Sequence, residues 1–127
     1  MAKHEIATDR APRPGGPYSQ GLRVGKTIWV ASQGPYDPTT RAIAGPTIEE
    51  QATRALENVK AILEAGGASM ADVVKTTVIL SEAGLFARFN AVYATYFPDP
   101  KPVRTTVISS SFGVLVMIDA VASLGDD

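Results

Sequence analysis

Two ionisable residues stand inside apolar, β-branched sequence and are the first candidates for chemistry. Arg104 lies in Pro102-Val103-Arg104-Thr105-Thr106-Val107. Strand alternation puts Arg104, Thr106 and Ile108 on one face and Val103, Thr105 and Val107 on the other. Such an arginine either snorkels from a sheet edge to water or offers its planar fork to a carboxylate. Asp119 is the only ionisable residue between Gly113 and Gly125. A carboxylate in an apolar strand costs free energy unless it is partnered. It is therefore either a structural ion-paired or hydrogen-bonded residue, or a base or water-holder with a tuned pKa. If the last two strands form a hairpin about Ser109 to Gly113, Arg104 and Asp119 come out roughly level across it, and both readings accommodate that.

Tyr18, in Gly16-Pro17-Tyr18-Ser19-Gln20-Gly21, is either a fixed hydrogen-bond donor or packing for a turn. Asn90 stands near the middle of a helical segment, where Asn is a poor choice. It either faces solvent or is held by a polar partner. Tyr93, three residues on, reads as core. The composition narrows the chemistry further. Cysteine is absent, which removes disulfides, thiolate metal sites and cysteine nucleophiles. His4 is the single histidine and reads as a surface residue. A Ser-His-Asp triad or multi-histidine metal site would need that residue or another chain. Twelve Lys and Arg against 13 Asp and Glu leave a net charge of −1, with no general electrostatic footprint for nucleic acid or anionic membrane.

The elements that must position these residues follow from periodicity. The 127 residues, 45% of them hydrophobic, suit one domain with a compact core. His4 to Ala7 reads as a short edge strand, and Ser19 to Val24 with Thr27 to Ser32 as a hairpin about Gly25-Lys26. Thr47 with Glu50 forms a capping box opening a helix to Ala65. Ile48, Ala52, Ala55, Leu56, Val59, Ile62 and Leu63 form its apolar stripe, and Gly66-Gly67 stop it. Val73 to Leu80 reads as a strand, Gly84 to Tyr96 as a second helix, and Val103 to Ile108 and Val114 to Ala122 as the last strands. The order β-β-β-α-β-α-β-β implies an α+β fold, one sheet with two helices on one face. The last strand is apolar at nearly every position, as strands buried on both faces are. Nothing in a chain this short remains to cover the second face, so an obligate oligomer with inward-facing sheets is expected. The start lacks a targeting segment and the longest apolar run is too short to span a bilayer, so a cytoplasmic location is the default expectation.

These pieces together resemble the RidA (YjgF) family of enamine/imine deaminases. The resemblance runs over essentially the whole chain as one domain, residues 1–127. It rests on Ala11-Pro12, Gly16 to Gly21, Gln33-Gly34-Pro35 and Gln51 to Gly67, and continues through Asp72 to Val78, Phe89 to Tyr93, Pro102-Val103-Arg104 and Ile118 to Ala122. It implies a chorismate-mutase-like fold with a mixed β-sheet, a barrel-like homotrimer with active clefts between subunits, and no metal or organic cofactor. It also implies hydrolysis of reactive 2-imino or 2-enamino acids to 2-oxo acids and ammonia. Arg104 matches the arginine that grips the substrate carboxylate, and Tyr18 and Asn90 match residues lining the same cleft. Asp119 falls where the family usually has the glutamate that positions the attacking water. Thr106 falls where many members have cysteine, whose main-chain groups approach the substrate. Ala31-Ser32-Gln33 falls where the family often has Ser-Gly-Gln; with Gln33 in register, Ser32 stands at the glycine position and Ala31 replaces the serine. The expected site is thus Arg104, Asp119 and Tyr18 as catalytic residues, with Thr106, Asn90 and Ser32 binding substrate.

The departure at Asp119 removes one methylene of reach, and catalytic geometry is sensitive to displacements of about 1 Å. It leaves competing expectations: deamination of a larger amino-dienoic acid such as 2-aminomuconate, non-catalytic binding of small carboxylates, or the ribonuclease and translation-inhibitor activity ascribed to some relatives. The near-neutral charge argues against broad RNA binding.

Overall fold

The structure, a computed structural model, describes residues 2–110 and 113–125. Strands β1 (His4–Ile6), β2 (Gly21–Val24) and β3 (Thr27–Gln33) come first, then helix α1 (Ile48–Ala65), strand β4 (Val73–Leu80), helix α2 (Phe86–Ala94), and strands β5 (Val103–Ile108) and β6 (Val116–Ser123). Gly25 takes φ 60° between the paired residues Val24 and Thr27. That conformation costs glycine nothing and closes the β2–β3 hairpin in two residues.

The capping box at Thr47 forms as expected. Its Oγ1 accepts the Glu50 N–H, and Glu50 Oε1 accepts the Thr47 N–H. All seven residues of the α1 stripe are buried, and burying each large aliphatic one contributes about 1.5–3 kcal/mol. Helix α2 is shorter than the expected 84–96. A 3-10 turn over Ala83–Leu85 precedes it, and no side chain caps its start.

The sheet order is β1-β2-β3-β6-β4-β5. The expected hairpin of the last two strands does not form. β6 inserts antiparallel between β3 and β4, while β5 pairs parallel with β4 at the sheet edge. The physical reason is the intervening helix: β4-α2-β5 is a crossover unit, and a crossover joins parallel strands. Ser111 and Phe112, part of the expected connecting loop, lie outside the described residues.

Register sorts the side chains. Ile28, Val30, Thr76, Val78, Ile118 and Ala120 lie under the helices and are buried. The opposite face carries Trp29, 51% exposed, Val103, 66% exposed, and Val107, 43% exposed, together with the half-buried Met117, Asp119 and Val121. One face is covered by both helices, and no described element covers the other. Among the described residues, no helix is long and apolar enough to cross a membrane.

Candidate functional site

Arg104 pairs with Thr76 across the parallel ladder, so both project to the helix side of the sheet. At the edge there the guanidinium enters a nest of three rings on or beside α2: its Cζ lies 4.8 Å from the Tyr93 centroid, 5.3 Å from Phe86 and 5.6 Å from Phe89. Aromatic faces attract the cation without using its N–H groups. Nε donates to Thr106 Oγ1 at 3.0 Å and Nη2 donates to Asn90 Oδ1 at 2.7 Å. No carboxylate is ion-paired with Arg104 among the described residues.

Donor chemistry then orients the neighbours. A guanidinium only donates, so Asn90 must present its carbonyl oxygen and Thr106 its lone pair. Among the described residues, the hydrogen bonds that fix the guanidinium use neither the Asn90 amide N–H groups, nor the Thr106 hydroxyl proton, nor the N–H groups of Arg104 Nη1. The cluster is therefore an array of donors around a fixed positive charge, suited to an anion. Beneath it, Tyr93 Oη and Thr76 Oγ1 share a hydrogen bond of 2.7 Å. Burial pushes the Tyr93 phenol above its ordinary pKa, partly offset by the Thr76 bond and the nearby Arg104 charge.

Asp119 is not beside Arg104. It pairs with Thr77, one position on from the Thr76–Arg104 pair, and so lies on the uncovered face. The expected closeness of Arg104 and Asp119 fails because β4 separates their strands and alternation places them on opposite sides. Asp119 Oδ1 accepts the Thr77 N–H at 2.8 Å, and its other oxygen has no partner among the described residues. Lys75 joins the neighbourhood by donating to Thr77 Oγ1 at 3.0 Å and to the Thr76 carbonyl at 2.8 Å.

Ser32 sits in a bulge. Val30 pairs with Ala120 and Gln33 with Ile118, so Ala31 and Ser32 together stand opposite Asp119. Ser32, Tyr18 and Met117 line one cleft. Tyr18 is 55% exposed, and its Oη accepts the Gly15 N–H at 3.1 Å, leaving its own proton to donate. The loop carrying it is tied down by buried Gln20. The Gln20 amide donates to the Thr8, Ala11 and Pro12 carbonyls and accepts the Thr8 N–H.

The six expected site residues thus fall into two groups. Arg104, Asn90 and Thr106 form a donor cluster at the β5 edge on the helix side. Tyr18, Ser32 and Asp119 gather along β3, β6 and the preceding loop. Sequence reasoning missed Phe86 in the aromatic nest and Lys75 beside Asp119; the signal for Phe86 was its spacing of three, four and seven residues from Phe89, Asn90 and Tyr93. Among the described residues, no group of three or more His, Cys, Asp or Glu could hold a metal.

The comparisons agree with this architecture. The family model described as Endoribonuclease L-PSP matches residues 8–124. A RutC family protein of Pyrococcus abyssi is 49% identical over 124 residues, covering 96% of this chain and 98% of the relative. The 2-iminobutanoate/2-iminopropanoate deaminase of Salmonella typhimurium is 43% identical over 105 residues, covering 80% and 81%. The crystal structure of RidA from an Antarctic Psychrobacter superposes with a TM-score of 0.91 at 36% identity, covering 95% and 99%. The chain belongs to the RidA (YjgF) family.

Proposed function

We propose that the protein hydrolyses 2-imino and 2-enamino acids to 2-oxo acids and ammonia, in clefts formed between the subunits of a homotrimer. The observation that carries this reading is the donor array of Arg104, Asn90 and Thr106, a positive charge held without a carboxylate partner. A carboxylate-bearing substrate supplies that partner. The deaminase among the relatives acts, by its name, on 2-iminobutanoate and 2-iminopropanoate, which are such substrates.

The chemistry asks for little beyond positioning. An iminium carbon is already electrophilic, so a held water and proton handling suffice. In this reading the carboxylate is clamped by Arg104. Asp119 holds the water through its unpartnered oxygen and takes a proton as the water oxygen bonds to the imine carbon. The nitrogen gains a proton, to which the Tyr18 hydroxyl contributes, and the C–N bond breaks to release ammonia and leave the carbonyl. One chain keeps Arg104 and Asp119 on opposite sides of its sheet, so a complete cleft draws the Arg104 group from one subunit and the Tyr18, Ser32 and Asp119 group from the next. The uncovered apolar face supports such an assembly.

Co-expression tests this. Arg104→Ala and Asp119→Asn, each alone, should release little ammonia from freshly generated 2-iminopropanoate. In mixed trimers about a quarter of clefts recover both wild-type groups under random mixing, because each cleft joins two different chains. Activity should therefore reappear in the mixture. A mixture as inactive as its parents would place the whole reaction within one chain, and a stable monomer by light scattering would remove the shared cleft. The family model's description names an endoribonuclease. RNA cleavage that persists in Arg104→Ala and falls steeply with salt would favour that reading instead.

A further inference from the structure

Arg41 is the only non-glycine residue described with positive φ, at 64°. It closes a tight turn in which its N–H donates to the Asp37 carbonyl and Asp37 Oδ1 accepts the Thr39 and Thr40 N–H groups. Glycine holds this conformation without strain, whereas a side chain does not. Strain at one residue points to a use for its side chain. The Arg41 guanidinium crosses to the loop carrying Tyr18, where Nη1 donates to the Arg13 carbonyl at 2.7 Å. A methyl group built on Gly15 would lie 3.4 Å from Arg41 Nη2 and 4.0 Å from Tyr18 Oη. Guanidinium and phenol therefore flank one small position. Arg41 lines the small cleft that Tyr18 and Ser32 share, as does Arg13; Asp119 is not among its walls, and no carboxylate lines it. Among the described residues, none is ion-paired with Arg41.

We propose that Arg41 binds a second acidic group on the substrate, so that the preferred substrates are dicarboxylic imines or enamines. This rests on the shared-cleft reading above. Arg104 takes the carboxylate next to the imine, and a substrate reaching the Tyr18 half of the cleft meets a second guanidinium there.

The test compares kcat/KM for freshly generated 2-iminoglutarate and 2-iminopropanoate in wild type and Arg41→Gly. The variant should fold with no loss in Tm, because glycine suits φ 64°. A charge-assisted contact of this kind is worth about tenfold or more in binding, so the dicarboxylate-to-monocarboxylate ratio should favour iminoglutarate in wild type and fall about tenfold in Arg41→Gly. An unchanged ratio overturns the proposal. So does an equal loss on both substrates, which would make Arg41 a holder of the Tyr18 loop alone. Calorimetric titration with glutarate and with propionate is read independently of turnover. If neither imine is hydrolysed but glutarate binds more tightly in wild type and loses that advantage in Arg41→Gly, the deaminase reading fails while the second anion site stands. Equal binding of the two acids in wild type overturns the site itself.

Discussion

Arg104 and Tyr18 carry the two ends of the candidate cleft and are held in different ways. Arg104 rises from a strand, is flanked by three rings, and is fixed by Asn90 on a neighbouring helix. The rings and Asn90 come from α2 on the buried side of the sheet, and Thr106 supports the guanidinium from its own strand. Tyr18 stands on a loop, 55% exposed, with one backbone N–H on its hydroxyl. Asp119 shares the uncovered face with Trp29 and Val107. The comparison separates two ways of building a site: the Arg104 cluster is fixed by the fold of one chain, while Tyr18 and Asp119, the proposed proton-handling groups, stand on surface that no described element covers. The clamp should therefore keep its anion affinity whatever the assembly, whereas the other end should depend on it.

The largest effect should come from breaking the clamp. Arg104→Ala removes the fixed charge and strands the Asn90 and Thr106 partners. Truncating one side of a hydrogen-bonded charge pair costs about 2–5 kcal/mol, so pyruvate binding by calorimetry should weaken at least about thirtyfold. Ammonia release should fall to background with the circular dichroism spectrum unchanged. Arg104→Lys should restore only part, since an ammonium keeps the charge and loses the fork. Near-wild-type binding by Arg104→Ala would dissolve the distinction between the two ends.

Gln20→Leu should act on the other end by loosening the Tyr18 loop. The buried amide gathers three carbonyls and one N–H from residues 8–12, and Leu leaves them unsatisfied. The loss in stability should be about 1–3 kcal/mol by urea denaturation. It should lower kcat more than it weakens pyruvate binding, because the clamp is untouched. Equal losses in both would mean that the two ends are coupled within one chain.

Much of this division was legible in the sequence. The period of α1, its capping box and its Gly stop marked that helix from Ile48 to Ala65, because local hydrogen bonds and a long apolar stripe set it. Alternation placed Arg104 and Thr106 on one face, as the ladder with Thr76 and Val78 bears out. The uncovered face followed from the apolar run into β6. Spatial neighbours of β5 and β6 did not follow: a hairpin would pair these consecutive strands, whereas a nine-residue helix between β4 and β5 makes a parallel crossover and β6 inserts between β3 and β4. That one topological choice moved Asp119 away from Arg104. Asn90 is placed beside Arg104 by the family resemblance and not by spacing, and Phe86 is not placed there at all, since tertiary approach is not written in local spacing. Arg41 carried no signal at all until its backbone conformation was known.

Asp119 offers a smaller and more selective change. Asp119→Asn keeps the size and the oxygen that accepts the Thr77 N–H, while removing the charge that would hold and deprotonate water. Ammonia release should drop about tenfold, roughly 1.4 kcal/mol in the barrier, with pyruvate binding little altered. Asp119→Glu restores the methylene that the family usually has, and should be tolerated or raise turnover of 2-iminopropanoate. If the Glu variant is as poor as the Asn variant, the position does not act through reach. Unchanged turnover in both would mean that water is held elsewhere, by backbone or by Tyr18.

The smallest expected effect reads the support beneath the clamp. Burial holds the Tyr93 phenol above its usual value of 10.0 in the folded protein, and burial with a hydrogen bond to Glu57 does the same for Tyr96. Below pH 10 both states of the chain keep these protons, so the neutral phenols contribute their full stability there. Above pH 10 the unfolded chain ionises first and binds fewer protons than the folded one, so stability must fall as pH rises. Tyr93→Phe keeps the ring 4.8 Å from the Arg104 guanidinium carbon but loses the bond to Thr76, whose hydroxyl is then left buried without that partner. At pH 7 this should cost about 1–3 kcal/mol. The same variant has one fewer group to ionise, so its stability should fall less steeply between pH 9 and 11 than that of wild type, measured as urea midpoints across that range. Pyruvate affinity at pH 7 should hardly move, because the rings and the Asn90 bond still fix Arg104. A marked loss of affinity would show that the clamp depends on the Thr76–Tyr93 hydrogen bond, and that the pre-organised end is less rigid than its packing implies.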